Sequence, residues 1–217
     1  MTAKPDVAES FARAPVVGVV RTSSRDEAAT VARAFIEGGL ELIEITFTVP
    51  GAAELVRQLR SARKGSGPPW VGMGTVTSAA RARAALEAGA EFVVTPNTKR
   101  PVAELVHDAD VFLVVGALTP TEVVDAWDAG ADLVKVFPLP PVGGPHYLSV
   151  VRGPLGDVPM LASGGFDVEE IPAYRDAGAV AFGIGAPLLG LTMEETGQRI
   201  RRALELARGP AAPEASA

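Results

Sequence analysis

Apolar residues along this chain gather into eight short runs: Val16–Val20, Leu42–Phe47, Trp70–Gly74, Glu91–Thr95, Val111–Gly116, Leu133–Phe137, Val158–Ala162 and Val180–Ile184. Largely continuous runs of this length, without strict polar alternation, suit parallel strands covered on both faces. Between them lie stretches of helical composition, among them Arg25–Glu37, Ala53–Arg63, Ser78–Ala88 and Pro120–Ala129. Residues 1–13 predict a short amphipathic N-terminal helix with Val7, Phe11 and Ala12 on one side. Eight βα units in a chain of 217 residues predict an α/β fold, a (β/α)8 TIM barrel, rather than an open doubly wound sheet. The barrel is expected as a single domain over residues 1–208, with 209–217 as a flexible C-terminal tail rich in Ala and Pro.

An internal repeat supports the barrel. Glu37-Gly38-Gly39-Leu40-Glu41, Glu87-Ala88-Gly89-Ala90-Glu91, Asp128-Ala129-Gly130-Ala131-Asp132 and Asp176-Ala177-Gly178-Ala179-Val180 each close a helix with glycine and lead into a strand. Glycine there supplies the left-handed residue that ends a helix. The four copies precede strands two, four, six and eight, and alternate strands share interior layers in such a barrel. Five residues beyond the last glycine of each copy stand Glu44, Val94, Lys135 and Gly183. If the repeat holds register, Glu44 and Lys135 enter one interior at the same height.

Lys135 interrupts the run Leu133-Val134-Lys135-Val136-Phe137. Burial favours the neutral form of an amine, which is the form that Schiff-base chemistry with a carbonyl substrate requires. Two plainer readings compete with this one. The lysine head can reach solvent from a strand end, or Glu44 and Lys135 can form a structural ion pair. Two ionisable groups that independently break apolar strands and converge by register favour chemistry.

Composition narrows the partners. The chain is 47% hydrophobic with a formal charge of −6 and no cysteine, so disulfides, a thiolate nucleophile and cysteine metal sites are excluded. Lys and Arg form no dense cluster, which disfavours nucleic acid, and no run predicts a membrane span or a signal peptide. A cytoplasmic protein is expected. The two histidines, His107 and His146, are too few for a metal cluster. His107 reads as a helix surface residue. His146 sits in a Gly/Pro-rich segment after the lysine strand, where it can border the substrate. Trp70 and Trp127 read as packing residues.

Four segments then carry a resemblance: Gly39-Leu40-Glu41-Leu42-Ile43-Glu44-Ile45-Thr46-Phe47-Thr48, Gly72-Met73-Gly74-Thr75-Val76, Leu118-Thr119-Pro120-Thr121-Glu122 and Val134-Lys135-Val136-Phe137-Pro138. With these in order over nearly its whole length, the chain resembles the 2-keto-3-deoxy-6-phosphogluconate (KDPG) aldolase family, class I aldolases that include 4-hydroxy-2-oxoglutarate aldolases. The resemblance implies that Lys135 is the Schiff-base lysine and Glu44 the proton-transferring carboxylate. It implies that Gly74 and Thr75 help to hold the carboxylate end of a small 2-keto acid substrate. It further implies a homotrimer that uses no metal and no cofactor. Arg21 follows the first strand at the end where barrel active sites lie, and its planar fork suits a carboxylate. Many family members carry an arginine where this chain has Thr48, so Arg21 is expected to make that contact alone.

The loops after strands seven and eight, Ser163-Gly164-Gly165 and Gly185-Ala186, are the expected phosphate site, with backbone amides and a helix N-terminus meeting the anion. Family members often have Pro-Thr-Gly-Gly where this chain has Ala162-Ser163-Gly164-Gly165, and serine where it has Ala186. An unphosphorylated substrate such as 4-hydroxy-2-oxoglutarate is therefore the alternative. Two rival functions remain on the same barrel: a phosphosugar isomerase or epimerase, and a catalytically silent ligand-binding or assembly barrel.

Overall fold

The computed structural model describes residues 3–63 and 65–209. Its strands are β1 (Val16–Val20), β2 (Leu42–Thr46), β3 (Trp70–Gly74), β4 (Phe92–Val94), β5 (Phe112–Ala117), β6 (Leu133–Val136), β7 (Met160–Ser163) and β8 (Ala181–Ile184). The helices are α1 (Lys4–Arg13), α2 (Arg25–Glu37), α3 (Ala52–Ala62), α4 (Ala79–Glu87), α5 (Arg100–Asp108), α6 (Pro120–Asp128), α7 (Gly144–Arg152), α8 (Ile171–Asp176) and α9 (Met193–Arg208). Each strand pairs in parallel with the next, and β8 returns to β1 to close the barrel. The tail expected over 209–217 lies outside the described residues apart from Gly209.

The repeat is borne out in detail. Gly39, Gly89, Gly130 and Gly178 all adopt positive φ, between +78° and +97°. In each copy the next amide reaches back across the helix end: Leu40 to Phe35, Ala90 to Ala85, Ala131 to Ala126 and Ala179 to Tyr174. These are four copies of one glycine-terminated helix end, each delivering the chain to an even-numbered strand at a fixed phase. Strand ends differ from expectation by a residue or two. β7 starts at Met160 because the amide of Val158 bonds Leu155 O in a turn and Pro159 has no amide to give.

Two apolar layers result from the alternation of side chains along the strands. Residues such as Ile43, Ile45, Met73 and Val134 pack outward against the helices. Val17, Leu42, Trp70, Phe92, Phe112 and Leu133 fill the interior, together with Val7 and Phe11 of α1. Helix α1 thus plugs the N-terminal end of the barrel. Phe11 stacks on Phe112 at 4.7 Å and meets Phe92 edge-on at 5.8 Å. Trp70 Nε1 donates to Ser10 Oγ at 2.9 Å, so Trp70 is a packing residue with its polar atom satisfied. Ala12, expected on the buried face, is exposed, and Ser10 takes that place.

Candidate active site

Toward the C-terminal end the inward positions change character. β2 offers Leu42, Glu44 and Thr46, and β6 offers Leu133 and Lys135, while glycine occupies inward positions 72 and 74 on β3, 116 on β5 and 183 on β8. Small residues around one long amine leave room for a ligand. Glu44 and Lys135 are buried, 2% and 7% exposed.

Register places them level. The hydrogen-bonded ladder joins Thr46 to Gly74, Met73 to Val93, Val94 to Val114 and Val114 to Leu133. Glu44 lies two residues before the β2 member of that row and Lys135 two after its β6 member. In a barrel staggered by about eight residues per circuit, four strands of separation correspond to about four residues of register, so the two side chains share one layer. They do not pair: among the described residues, neither Glu44 nor Lys135 belongs to any ion pair. The lysine Nζ lies instead 5.2 Å from the Phe137 ring centroid.

A cleft of about 320 Å³ opens above this layer, lined by Lys135, Arg21, Thr75, Ser163, Gly164, Gly165, Gly185 and Ala186, with Val19, Pro96, Phe137 and Gly183. Eight of the ten residues expected at the site therefore line one cleft. Glu44 and Gly74 are not among its lining residues, and Gly74 backs onto Glu44: a Cβ added at Gly74 would stand 1.8 Å from Glu44 Oε1. A larger hollow of about 560 Å³ beside α1 and α3 lies at the plugged end. The deepest charge there, Glu91, already pairs with Arg63 at 2.7 Å.

Arg21 is held from two sides. Nη2 donates to Thr75 Oγ1 at 3.1 Å and Nη1 to Thr48 Oγ1 at 3.4 Å. Thr48 in turn shares a 2.7 Å hydrogen bond with Thr46, whose hydroxyl donates to Val20 O. Thr48 thus supports the arginine that follows β1.

In the expected phosphate loops, the amides of Gly164, Gly165, Gly185 and Ala186 have no backbone acceptor among the described residues. Gly164, at φ +142°, is pressed between Pro140 and Leu139, 2.7–2.8 Å from the position of a Cβ, whereas Gly165 has open space. Ser163 Oγ donates to Gly183 O at 3.4 Å, and both residues line the cleft. One expectation changes. No long helix begins at these loops: Val168–Glu170 and Ala186–Leu188 are three-residue 3-10 turns, so free amides rather than a helix dipole characterise this end.

His107 and His146 are both exposed, on α5 and α7, and neither lines the cleft. Trp127 is 41% exposed rather than packed. The Leu118–Glu122 motif is a helix cap. The Glu122 carboxylate accepts from the Thr119 and Leu118 amides at 2.8 and 2.9 Å, and these bonds hold its carboxyl below the usual carboxylate range. Sequence reasoning did not single out Pro96 or Phe137 as cleft residues. Phe137 had a signal, since it stands two residues beyond Lys135 and so on the same face.

The family model of KDPG and KHG aldolases matches residues 7–202. A 2-dehydro-3-deoxy-phosphogluconate aldolase of Treponema pallidum is 31% identical over 76% of this chain and 78% of its own length. The solved 4-hydroxy-2-oxoglutarate/2-dehydro-3-deoxyphosphogluconate aldolase from TTHB1 superposes with TM-score 0.81 at 32% identity, covering 93% of this chain and 98% of that one. The KDPG aldolase of Zymomonas mobilis ZM4, solved with 3-phosphoglycerate, gives TM-score 0.83 at 25% identity over 97% and 100%. Barrel, cleft and sequence agree, and the chain belongs to the KDPG and KHG aldolase family.

Proposed function

We propose that this aldolase cleaves a 4-hydroxy-2-keto acid into pyruvate and an aldehyde through a Schiff base on Lys135. One observation carries the reading: Lys135 is buried, belongs to no ion pair among the described residues, and stands at the height of a buried glutamate where an open cleft begins. A structural lysine at that depth would have a carboxylate partner. Lys135 Nζ attacks the C2 ketone, and the carbinolamine so formed takes up a proton and loses water to leave an iminium. Glu44, directly or through a water molecule, takes the proton of the C4 hydroxyl. The C3–C4 bond then breaks, its electrons pass into the iminium to give an enamine, and the aldehyde departs. Return of a proton to C3 and hydrolysis release pyruvate and restore the lysine.

Arg21, aimed by Thr48 and Thr75, takes the substrate carboxylate, and Gly74 serves that end of the site by giving Glu44 its place. The free amides of Gly164, Gly165, Gly185 and Ala186 receive the far end of the substrate. A phosphate there makes 2-keto-3-deoxy-6-phosphogluconate the preferred substrate, with glyceraldehyde 3-phosphate as the second product. The 3-phosphoglycerate held by the Zymomonas mobilis relative supports a phosphorylated ligand. The missing hydroxyl at Ala186 favours the second reading, 4-hydroxy-2-oxoglutarate giving glyoxylate. We place the enzyme in the cytoplasm, as a homotrimer acting in the Entner–Doudoroff branch of carbohydrate metabolism. Pyruvate release from both keto acids, measured in parallel, tests the assignment: turnover of the phosphorylated substrate at lower KM supports it, and release from neither overturns it.

A further inference from the structure

Thr75 holds a conformation that its residue type resists. Its φ is +59°, in the left-handed region where a β-branched side chain is strained and persists only if its surroundings over-determine it. The chain enters from Gly74, whose carbonyl accepts from the Phe47 amide at 2.9 Å, and leaves through Val76, whose amide donates to Val94 O at 3.2 Å. Between these anchors the Thr75 peptide is held by Arg81. Its Nη1 donates to Thr75 O at 3.1 Å and to Thr77 Oγ1 at 3.0 Å, while its guanidinium lies 5.4 Å over the Phe47 ring. Arg81 is the third residue of α4, and its side chain runs back past the helix N-terminus, as helical side chains do.

Two of the three residues that the Arg81 side chain touches, Thr75 and Phe47, lead to Arg21. Thr75 accepts from one arm of the Arg21 guanidinium through its hydroxyl. Phe47 is the residue between Thr46 and Thr48, and Thr48 accepts from the other arm. Arg81 does not line the cleft, and among the described residues it belongs to no ion pair. A part-buried guanidinium directed at a carbonyl, a hydroxyl and a ring, with no carboxylate, fixes geometry rather than balancing charge.

We infer that Arg81 is a positioning residue for recognition of the keto-acid carboxylate: it pins Thr75 and Phe47 and thereby sets both hydroxyl groups that aim Arg21. The inference rests on the carboxylate role proposed for Arg21. It makes Arg81 a determinant of selectivity for 2-keto acids over plain ketones, from outside the cleft. A lone structural role, holding the start of α4, would have no such selectivity, because Ser78 already caps that helix by accepting the Arg81 amide at 3.3 Å.

The test compares borohydride trapping on Lys135 with pyruvate and with hydroxyacetone, which lacks a carboxylate. It uses wild type, Arg81→Met, Arg21→Met and the double variant, with thermal unfolding measured alongside. Arg81→Met should raise the half-saturating pyruvate concentration about tenfold, the effect of one misaligned charge-assisted hydrogen bond. It should leave hydroxyacetone trapping unchanged, and it should add little to Arg21→Met, because the two residues act through one interaction. Equal loss for both ketones, or multiplying effects in the double variant, would overturn the inference. If Arg81→Met fails to fold, Arg81→Lys, which keeps a donor without the planar stack, serves the same comparison with a smaller shift. Wild type that traps neither ketone would remove the Lys135 reading itself, and this inference with it.

Discussion

The carboxylate of Glu44 occupies the space that any side chain on Gly74 would need, with Glu44 Oε1 only 1.8 Å from where a Gly74 Cβ would be. The glycine after Met73 is thus the counterpart of the glutamate on β2, and the two strands meet there in register, Glu44 beside Gly72 and Thr46 beside Gly74. Gly74→Ala should fold, because its backbone angles need no glycine and the clash falls on the end of a flexible side chain. Glu44 must move aside. We expect a fall in aldol cleavage of about 10² or more, the usual worth of a positioned acid–base group. Unchanged cleavage kinetics in a folded Gly74→Ala protein would show that the position of Glu44 does not matter.

Glu44→Gln separates the two catalytic roles. The variant should still form a borohydride-trapped pyruvate adduct, because Lys135 is intact. Exchange of the pyruvate methyl protons with deuterated solvent, followed by proton NMR, should slow by about 10² to 10⁴. Wild-type exchange would reduce Glu44 to a packing residue.

The far end of the cleft offers amides but lacks a hydroxyl at position 186. Ala186→Ser should lower KM for 2-keto-3-deoxy-6-phosphogluconate by about tenfold, the value of one hydrogen bond to a charged group. Little change is expected for 4-hydroxy-2-oxoglutarate. Equal shifts for both substrates would mean that Ala186 does not face the phosphate.

Much of this was legible in the sequence because it rests on local chemistry. Helices that end in glycine announced themselves four times, and counting from those glycines located Glu44 and Lys135 in one layer. What was not legible depends on packing between distant segments. Nothing around Ser163 reveals that its hydroxyl turns toward Gly183, twenty residues away. The role of Gly74 as the recess for Glu44 exists only once β2 lies beside β3. Trp127 read as a packing residue because it stands inside a helix, yet helix phase leaves it at the surface.

That surface bears on assembly. Helix α6 exposes Val124 and Trp127, 39% and 41% accessible, whereas Leu55 on α3 is buried. If α6 forms the contact of a homotrimer, light scattering should give about three times the 22.4 kDa chain mass, and Trp127→Asp should shift the mass toward monomer by burying an unpaired charge. A monomeric wild type, or a Trp127→Asp trimer of undiminished stability on dilution, would exclude this face.

The central claim is that Lys135 forms the covalent intermediate, and borohydride reduction in the presence of pyruvate tests it most directly. Intact-protein and peptide mass spectrometry should find one reduced pyruvate adduct per chain, on Lys135, with aldolase activity lost in proportion. Lys135→Met, folded and similar in volume, should show neither adduct nor cleavage. An adduct on another lysine, or turnover surviving in Lys135→Met, would contradict the account.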